Sequence, residues 1–278
     1  MHHVLEVANT LRQSWFRGHA KAVGELVPRV FRSPYAGVFT DFFRPDIELE
    51  TMERFMRDTP AVSDRALPGP DDYLEWLCLM QHHGSPTRLL DWSEKILVAL
   101  YFAVSVEPTA DGELWAIDPG NANEALTGER GFPLVPVNKK LQFLARQPRS
   151  RSNPDALAQS LGLKAPVTSP MAFLHRRDGR RISAQSGAFT IHPAPQPGRQ
   201  LHELVTSERL LVRYVIPAAR KAELFQYLEP LGVNHLSIFQ DLDALSKQVC
   251  ADHNIVAWGP PDPPKCGGLV RDISEPTR

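Results

Sequence analysis

Prolines interrupt this chain too often for it to fold mainly as long helices. There are 25 of them in 278 residues, close to twice the usual share of roughly 5%. Each lacks a backbone donor, fixes its own φ and disfavours helix in the residue before it. A helical bundle or coiled coil is therefore excluded, and short elements joined by many loops are expected. The 42% share of hydrophobic residues is enough to build a core, which excludes wholesale disorder. Lys plus Arg number 31 and Asp plus Glu 32, a formal net charge of −1. That balance argues against a generally cationic coat for nucleic acid or membrane but leaves room for a local basic patch.

Cys78, Cys250 and Cys266 are widely spaced, and none belongs to a CxxC pair. Neither a disulfide framework nor a zinc site is expected, and no metal is assigned. The opening MHHVLEVANT lacks the basic start and apolar stretch of a signal peptide. The longest apolar run, at 96–104, falls short of the ~18 residues of a membrane span. A soluble, cytoplasmic protein with no membrane partner is the expectation.

Periodicity predicts the elements. Residues 45–57 read as a helix, with acids early and arginines late to suit its dipole. Asp71 and Asp72 can cap a second helix over 73–83, with Leu74, Leu77, Cys78 and Gln81 stacked at helical spacing and Gly84 ending it. Residues 84–93 read as a polar segment between two helices, the second of which, at 96–104, is buried and has Ser93 as its cap. Strands are expected at 113–118, 185–192 and 210–216, and helices at 154–162 and 217–227. Residues 121–153 are polar with scattered apolar positions, and the basic run at 139–151 reads as a solvated helix face. Asp241 caps a closing helix over 242–249. The fold class is α+β: one domain over 13–250, a mixed or antiparallel sheet with flanking helices, a lead-in at 1–12 and a Pro/Gly-rich tail at 259–278.

Polar clusters mark candidate chemistry. Trp15-Phe16-Arg17-Gly18-His19 ends a strand-like run. The forked donors of Arg17 suit a phosphate or carboxylate, and Gly18 permits a close approach to the backbone; a surface arginine at a turn is the plainer alternative. In the segment 81–92, Ser85 and Thr87 offer hydroxyls, and Arg88 and Asp91, three apart, are spaced to pair. The same segment could instead be a structural loop whose polar groups satisfy one another. His82 and His83 are adjacent and point apart, with no third ligand at metal spacing. Gln185-Ser186-Gly187 opens a strand whose glycine suggests a bulge or a backbone lying against a ligand. No GxSxG, Walker, GxGxxG or HExxH motif is present.

These clusters, in this order, resemble the FRG domain, a bacterial and phage-associated family named for the Phe-Arg-Gly found here at 16–18. The resemblance runs through QHHGSPTRLLDWS, QSGAFTIH and FQDLD, over roughly 13–248, with departures at His83, Ser93 and Gln240. The layout is also similar to the ADP-ribosyltransferase superfamily. There an Arg on the first strand grips NAD, a Ser/Thr position braces the nicotinamide half, and a Glu on a later strand assists transfer. The resemblance implies NAD as substrate, with Arg17, Thr87, Asp91 and Gln185 as catalytic positions. Arg17, Gly18, His83, Ser85, Thr87, Arg88 and Gly187 would bind the nucleotide. It implies an ADP-ribosyltransferase-like enzyme, a toxin or phage-defence effector, acting on a macromolecular acceptor. The strand at 185–192 carries no Glu, so either another acid such as Asp91 serves, or the protein binds a nucleotide as a sensing module without turning it over. A hydrolase or nuclease working through His82, His83 and Asp91 is the third alternative.

Overall fold

The computed structural model describes residues 14–32, 45–64, 66–129, 138–150, 153–175, 180–196 and 198–253. The lead-in at 1–12 and the tail at 259–278 lie outside them. Six strands form one antiparallel sheet: β1 Trp15–His19, β2 Leu89–Ser93, β3 Gly112–Ile117, β4 Met171–Phe173, β5 Gly187–Ile191 and β6 Leu211–Ile216, in the spatial order β4-β5-β2-β1-β3-β6. The α+β expectation holds, and the sheet is wholly antiparallel among the described residues.

The registers are uneven. β1 pairs with β3 from Trp15↔Ile117 to His19↔Glu113, and β2 pairs with β5 from Leu89↔Ile191 to Ser93↔Gly187. Between β1 and β2 the register is the one pair Phe16↔Ser93. The sheet is thus two three-stranded halves, β4-β5-β2 and β1-β3-β6, joined at a point and parted along the rest of β1.

Each half has its own core on one face. On the first, Leu89, Met171, Phe173, Phe189 and Ile191 pack under α1 (Pro45–Asp58), α2 (Tyr73–His82) and α5 (Lys139–Arg146). On the second, Phe16, Leu114, Ala116 and Ile216 pack under α3 (Ile96–Val104) and α9 (Ala218–Leu228). A third cluster, with Trp15, Leu90, Trp92, Trp115 and Ile117, spans both halves on the opposite face, against α4 (Pro119–Thr127) and α8 (Leu201–Leu204). The remaining helices are α6 (Pro154–Ser160), α7 (Arg180–Gln185), α10 (His235–Phe239) and α11 (Leu242–Asp252).

Gly18 shows why β1 carries a glycine. A Cβ there would land on the Ala99 carbonyl oxygen of α3, so the close approach read from the sequence is to a helix.

Several expectations need correction. Residues 89–93 form the central strand β2; Leu89 and Leu90 enter different cores, so the run carries no polar–apolar alternation to betray it. Gln185 ends α7, Ser186 takes φ 45°, and the strand begins at Gly187. The polar stretch 121–153 holds α4 and α5, and α5 buries Leu141, Phe143, Leu144 and Ala145 behind its basic side chains. The Asp241 cap holds, since Ala244 N donates to Asp241 Oδ1 at 2.7 Å. Ser93 instead closes β2, and its Oγ accepts from Lys95 N at 2.9 Å, while Lys95 itself stands at the α3 N-cap with no side-chain cap bond. Asp72 stands at the α2 N-cap, yet its carboxylate holds Gly69 N. Among the described residues, no helix is long and apolar enough to cross a membrane.

Candidate functional site

Where the two half-sheets part, a cleft of about 260 Å³ opens. β1 contributes Phe16, Arg17 and Gly18, and β2 contributes Asp91, Trp92 and Ser93. One wall is Val98, Ala99 and Phe102 of α3; the other is Gly187, Ala188 and Phe189 of β5. Gln81 and His82 at the end of α2, and Gln185 at the end of α7, complete the rim. The volume approaches the lower end of small-molecule sites, about 300 Å³.

Arg17 spans the opening. Its Nη1 donates to the Asp91 carbonyl at 2.6 Å and lies 3.7 Å from Asp91 Oδ2. Burial lowers the Arg17 pKa and the charges of Asp91 and Glu113 oppose that. The Asp91 side chain is 55% exposed and is held from behind. Gln81 Nε2 donates to Asp91 Oδ2 at 2.6 Å, Thr87 Oγ1 donates to Gln81 Oε1 at 2.6 Å, and Leu89 N donates to Thr87 Oγ1 at 3.1 Å. Thr87 is fully buried, so it orients Gln81 and is not open to a ligand.

Two further arginines add charge beside the cleft. Arg32 Nε donates to Val27 O at 2.8 Å, and Arg29 Nη1 donates to Gly84 O at 3.0 Å. Burial first, and then the charges of Arg17 and Arg29, lower Arg32 to about 10. Like charges crowded around Arg32 favour an anion among them.

On the other side of Arg17 lie His19, Glu113 and Arg213. Burial, then the Arg17 charge, lowers His19 to about 4 despite the hydrogen bond to Glu113. Burial pushes the Glu113 carboxyl up, but hydrogen bonds from His19 and Arg213 outweigh it and hold it at about 2. Burial, then Arg17 and Arg88, drives His192 down to about 3. Both histidines fold with a pKa below their ordinary 6.5. The unfolded chain therefore takes up their protons first as pH falls, and stability is lost from about 6.5 downward through the folded values. Each imidazole contributes a slope of up to about 1.4 kcal/mol per pH unit in that window. Glu113 adds its own loss below the ordinary carboxyl value of 4.5. Urea denaturation at a series of pH values checks this: the unfolding free energy is expected to fall steadily from about pH 6.5 to about pH 4.5, and a flat profile would show that the two rings are not buried neutral.

The first strand, the α2 terminus, β2 and α3 make most of this cleft, and one comparison covers just that stretch. Residues 12–112 match the family model of the FRG domain. The FRG match contains Arg17, Gln81, Asp91, Ser93 and Phe102 and ends at the first residue of β3. Gln185, Gly187 and the FQDLD segment lie beyond it. No curated protein and no solved structure matches the chain.

Of the positions singled out from sequence, the cleft brings together Arg17, Gly18, His82, Asp91, Gln185 and Gly187. His83, Ser85, Thr87 and Arg88 do not line it. His83 stands edge-on to His82 at 5.0 Å, outside the walls. Arg88 does not pair with Asp91. It is 1% exposed and forms a two-pronged bond to Glu48 of α1, Nε–Oε1 2.7 Å and Nη2–Oε2 2.6 Å.

Sequence reading missed Glu113, held His19 and Gln81 only as members of their polar clusters without a role, and took Ser93 as a cap. Ser93 Oγ also donates to Gln185 O at 2.6 Å, tying β2 to α7. The available signal was polarity: Gln81 and Ser93 are polar side chains that directly follow the core residues Met80 and Trp92.

Proposed function

We propose that the cleft binds NAD and that the protein is an ADP-ribosyltransferase-like enzyme. The observation that carries this is Arg17 and Asp91 facing each other across the parted strands, a cation for phosphate and a carboxylate for the ribose carbon. The strands of the three-step layout also stand side by side as β5-β2-β1. The hydroxyl lining the cleft is Ser93, whose proton goes to Gln185 O, so the Ser/Thr step passes from Thr87 to Ser93 as an acceptor only. The volume suits one base with its ribose, walled by Phe16, Phe102 and Phe189. The phosphates then meet Arg17, with Arg29 and Arg32 beyond.

In the reaction, the bond between ribose C1′ and nicotinamide nitrogen breaks, and its electron pair leaves with neutral nicotinamide. Asp91 stabilises the positive charge growing on C1′. Water or an acceptor group attacks C1′, and its proton passes through Asp91 to solvent.

Nicotinamide release from NAD tests the reading. Asp91→Asn is expected to lower kcat by about 10²-fold or more, the scale of a lost electrostatic or acid–base group, while NAD binding persists. Arg17→Ala is expected to abolish binding with little change in the ligand-free melting temperature. Asp91→Ala is expected to cost under about 1 kcal/mol of stability, because the carboxylate is half exposed.

A nucleotide-sensing module is the second reading. The hydrogen bond that holds Asp91 to Gln81, and the lack of an acid at 185–187, favour it. Ligand at 100 times its dissociation constant stabilises by about 2.7 kcal/mol. A melting shift with NAD but no nicotinamide would select the sensor, and no shift with NAD, ADP-ribose or ATP would overturn both.

A further inference from the structure

An arginine that must meet one anion gains when its guanidinium is already held in the binding orientation. Arg17 is held on two edges: Nε donates to His19 Nε2 at 2.7 Å, and Nη1 donates to the Asp91 carbonyl. An arginine N–H can only donate, so His19 Nε2 must be the acceptor and the ring proton must sit on Nδ1. Nδ1 is 2.7 Å from Glu113 Oε1 and donates to it. The other Glu113 oxygen accepts from Arg213 Nε at 2.7 Å and from Gly24 N at 3.0 Å, so the fully buried carboxylate is itself fixed. Among the described residues, Nη2 of Arg17 has no hydrogen-bond partner.

We propose that His19 and Glu113 are positioning residues: Glu113 sets the tautomer of His19, His19 sets the Nε edge of Arg17, and the guanidinium meets an anionic ligand through Nη2. The strand pairing supports this. His19 lies opposite Glu113 and Arg17 opposite Trp115, so Arg17, His19 and Glu113 share one face of adjacent strands. The identity of the anion as a phosphate of NAD rests on the proposed function; the relay itself does not.

Two measurements test it separately. With ¹⁵N-labelled histidine in the full chain, NMR is expected to show His19 as the neutral Nδ1–H tautomer, unchanged from about pH 8 to about pH 5. An Nε2–H tautomer, or titration near the ordinary value, would overturn the relay. The second measurement is NAD affinity by calorimetry. His19→Leu removes both hydrogen bonds and is expected to weaken binding about tenfold or more. His19→Gln, which can both accept and donate, is expected to stay within roughly threefold of wild type. Equal weakening in the two variants, or none in either, overturns the positioning role. A wild-type protein that binds no NAD overturns the proposed function instead, and the histidine spectrum then decides the relay alone.

Discussion

Glu48→Ala is expected to destabilise the protein by about 3–5 kcal/mol, the cost of leaving a buried charge without its partner. Arg88 is enclosed on every side. Beyond its two bonds to Glu48, Nη1 donates to Gln147 Oε1 at 2.7 Å and to Leu144 O at 3.2 Å. Its guanidinium carbon lies 5.9 Å from the centre of the Phe31 ring. The pair therefore ties α1 and the end of α5 to the chain just before β2. Without the carboxylate, Arg88 must stay charged in the interior or pull the helices apart to reach water. For a domain of this size the expected fall in melting temperature is roughly 10 °C. The double variant Glu48→Leu/Arg88→Met is expected to recover much of that loss, because an apolar pair of similar volume needs no hydration. Thermal melts of the three proteins decide it; a Glu48→Ala melt within about 2 °C of wild type would mean that water reaches Arg88.

The second large effect is expected from Gly18→Ala. The new methyl would overlap the Ala99 carbonyl and come within 2.8 Å of Ala103 N. These are backbone atoms of α3, which cannot rotate out of the way, so the helix must move off the sheet. Overpacking of this kind costs about 1–3 kcal/mol and occasionally more, and a rigid backbone contact belongs at the upper end. Because α3 also supplies Val98, Ala99 and Phe102 to the cleft, NAD affinity is expected to fall with stability. Gly84→Ala is the control. It sits at φ +80° with nothing near its Cβ position, so it is expected to cost only about 1 kcal/mol and to leave the cleft intact. Equal losses in the two variants would count against the contact with α3.

Much of the architecture was legible because its signals are local. Helical spacing marked α1, α2, α3 and α9, alternation marked β3 and β5, and the apolar run at 210–216 marked β6. β2 escaped because a central strand with leucines entering two cores looks like any short apolar run. The site was legible as a set of polar clusters, and Arg17, Asp91 and Gln185 do converge. Their roles were harder to see, since hydrogen-bonding partners are set by topology. Arg88 and Asp91 are three residues apart, yet Arg88 finds Glu48, 40 positions away, and Asp91 meets Arg17, 74 positions away. Thr87 was the hydroxyl that the resemblance implied, but burial turns it toward Gln81, and Ser93 is the hydroxyl residue at the cleft.

The Phe16↔Ser93 junction also bears on what can be cut out of this protein. The chain visits the two half-sheets alternately, laying β1 in one and β2 in the other before returning to the first with β3. A fragment ending at residue 112 would keep both central strands and lose both of their long neighbours, β3 and β5. Two strands joined at one point, with every other edge bare, have too little pairing to persist. The family match thus spans most of the cleft's wall but not an autonomous folding unit, and minimal versions of the protein must reach at least through β5.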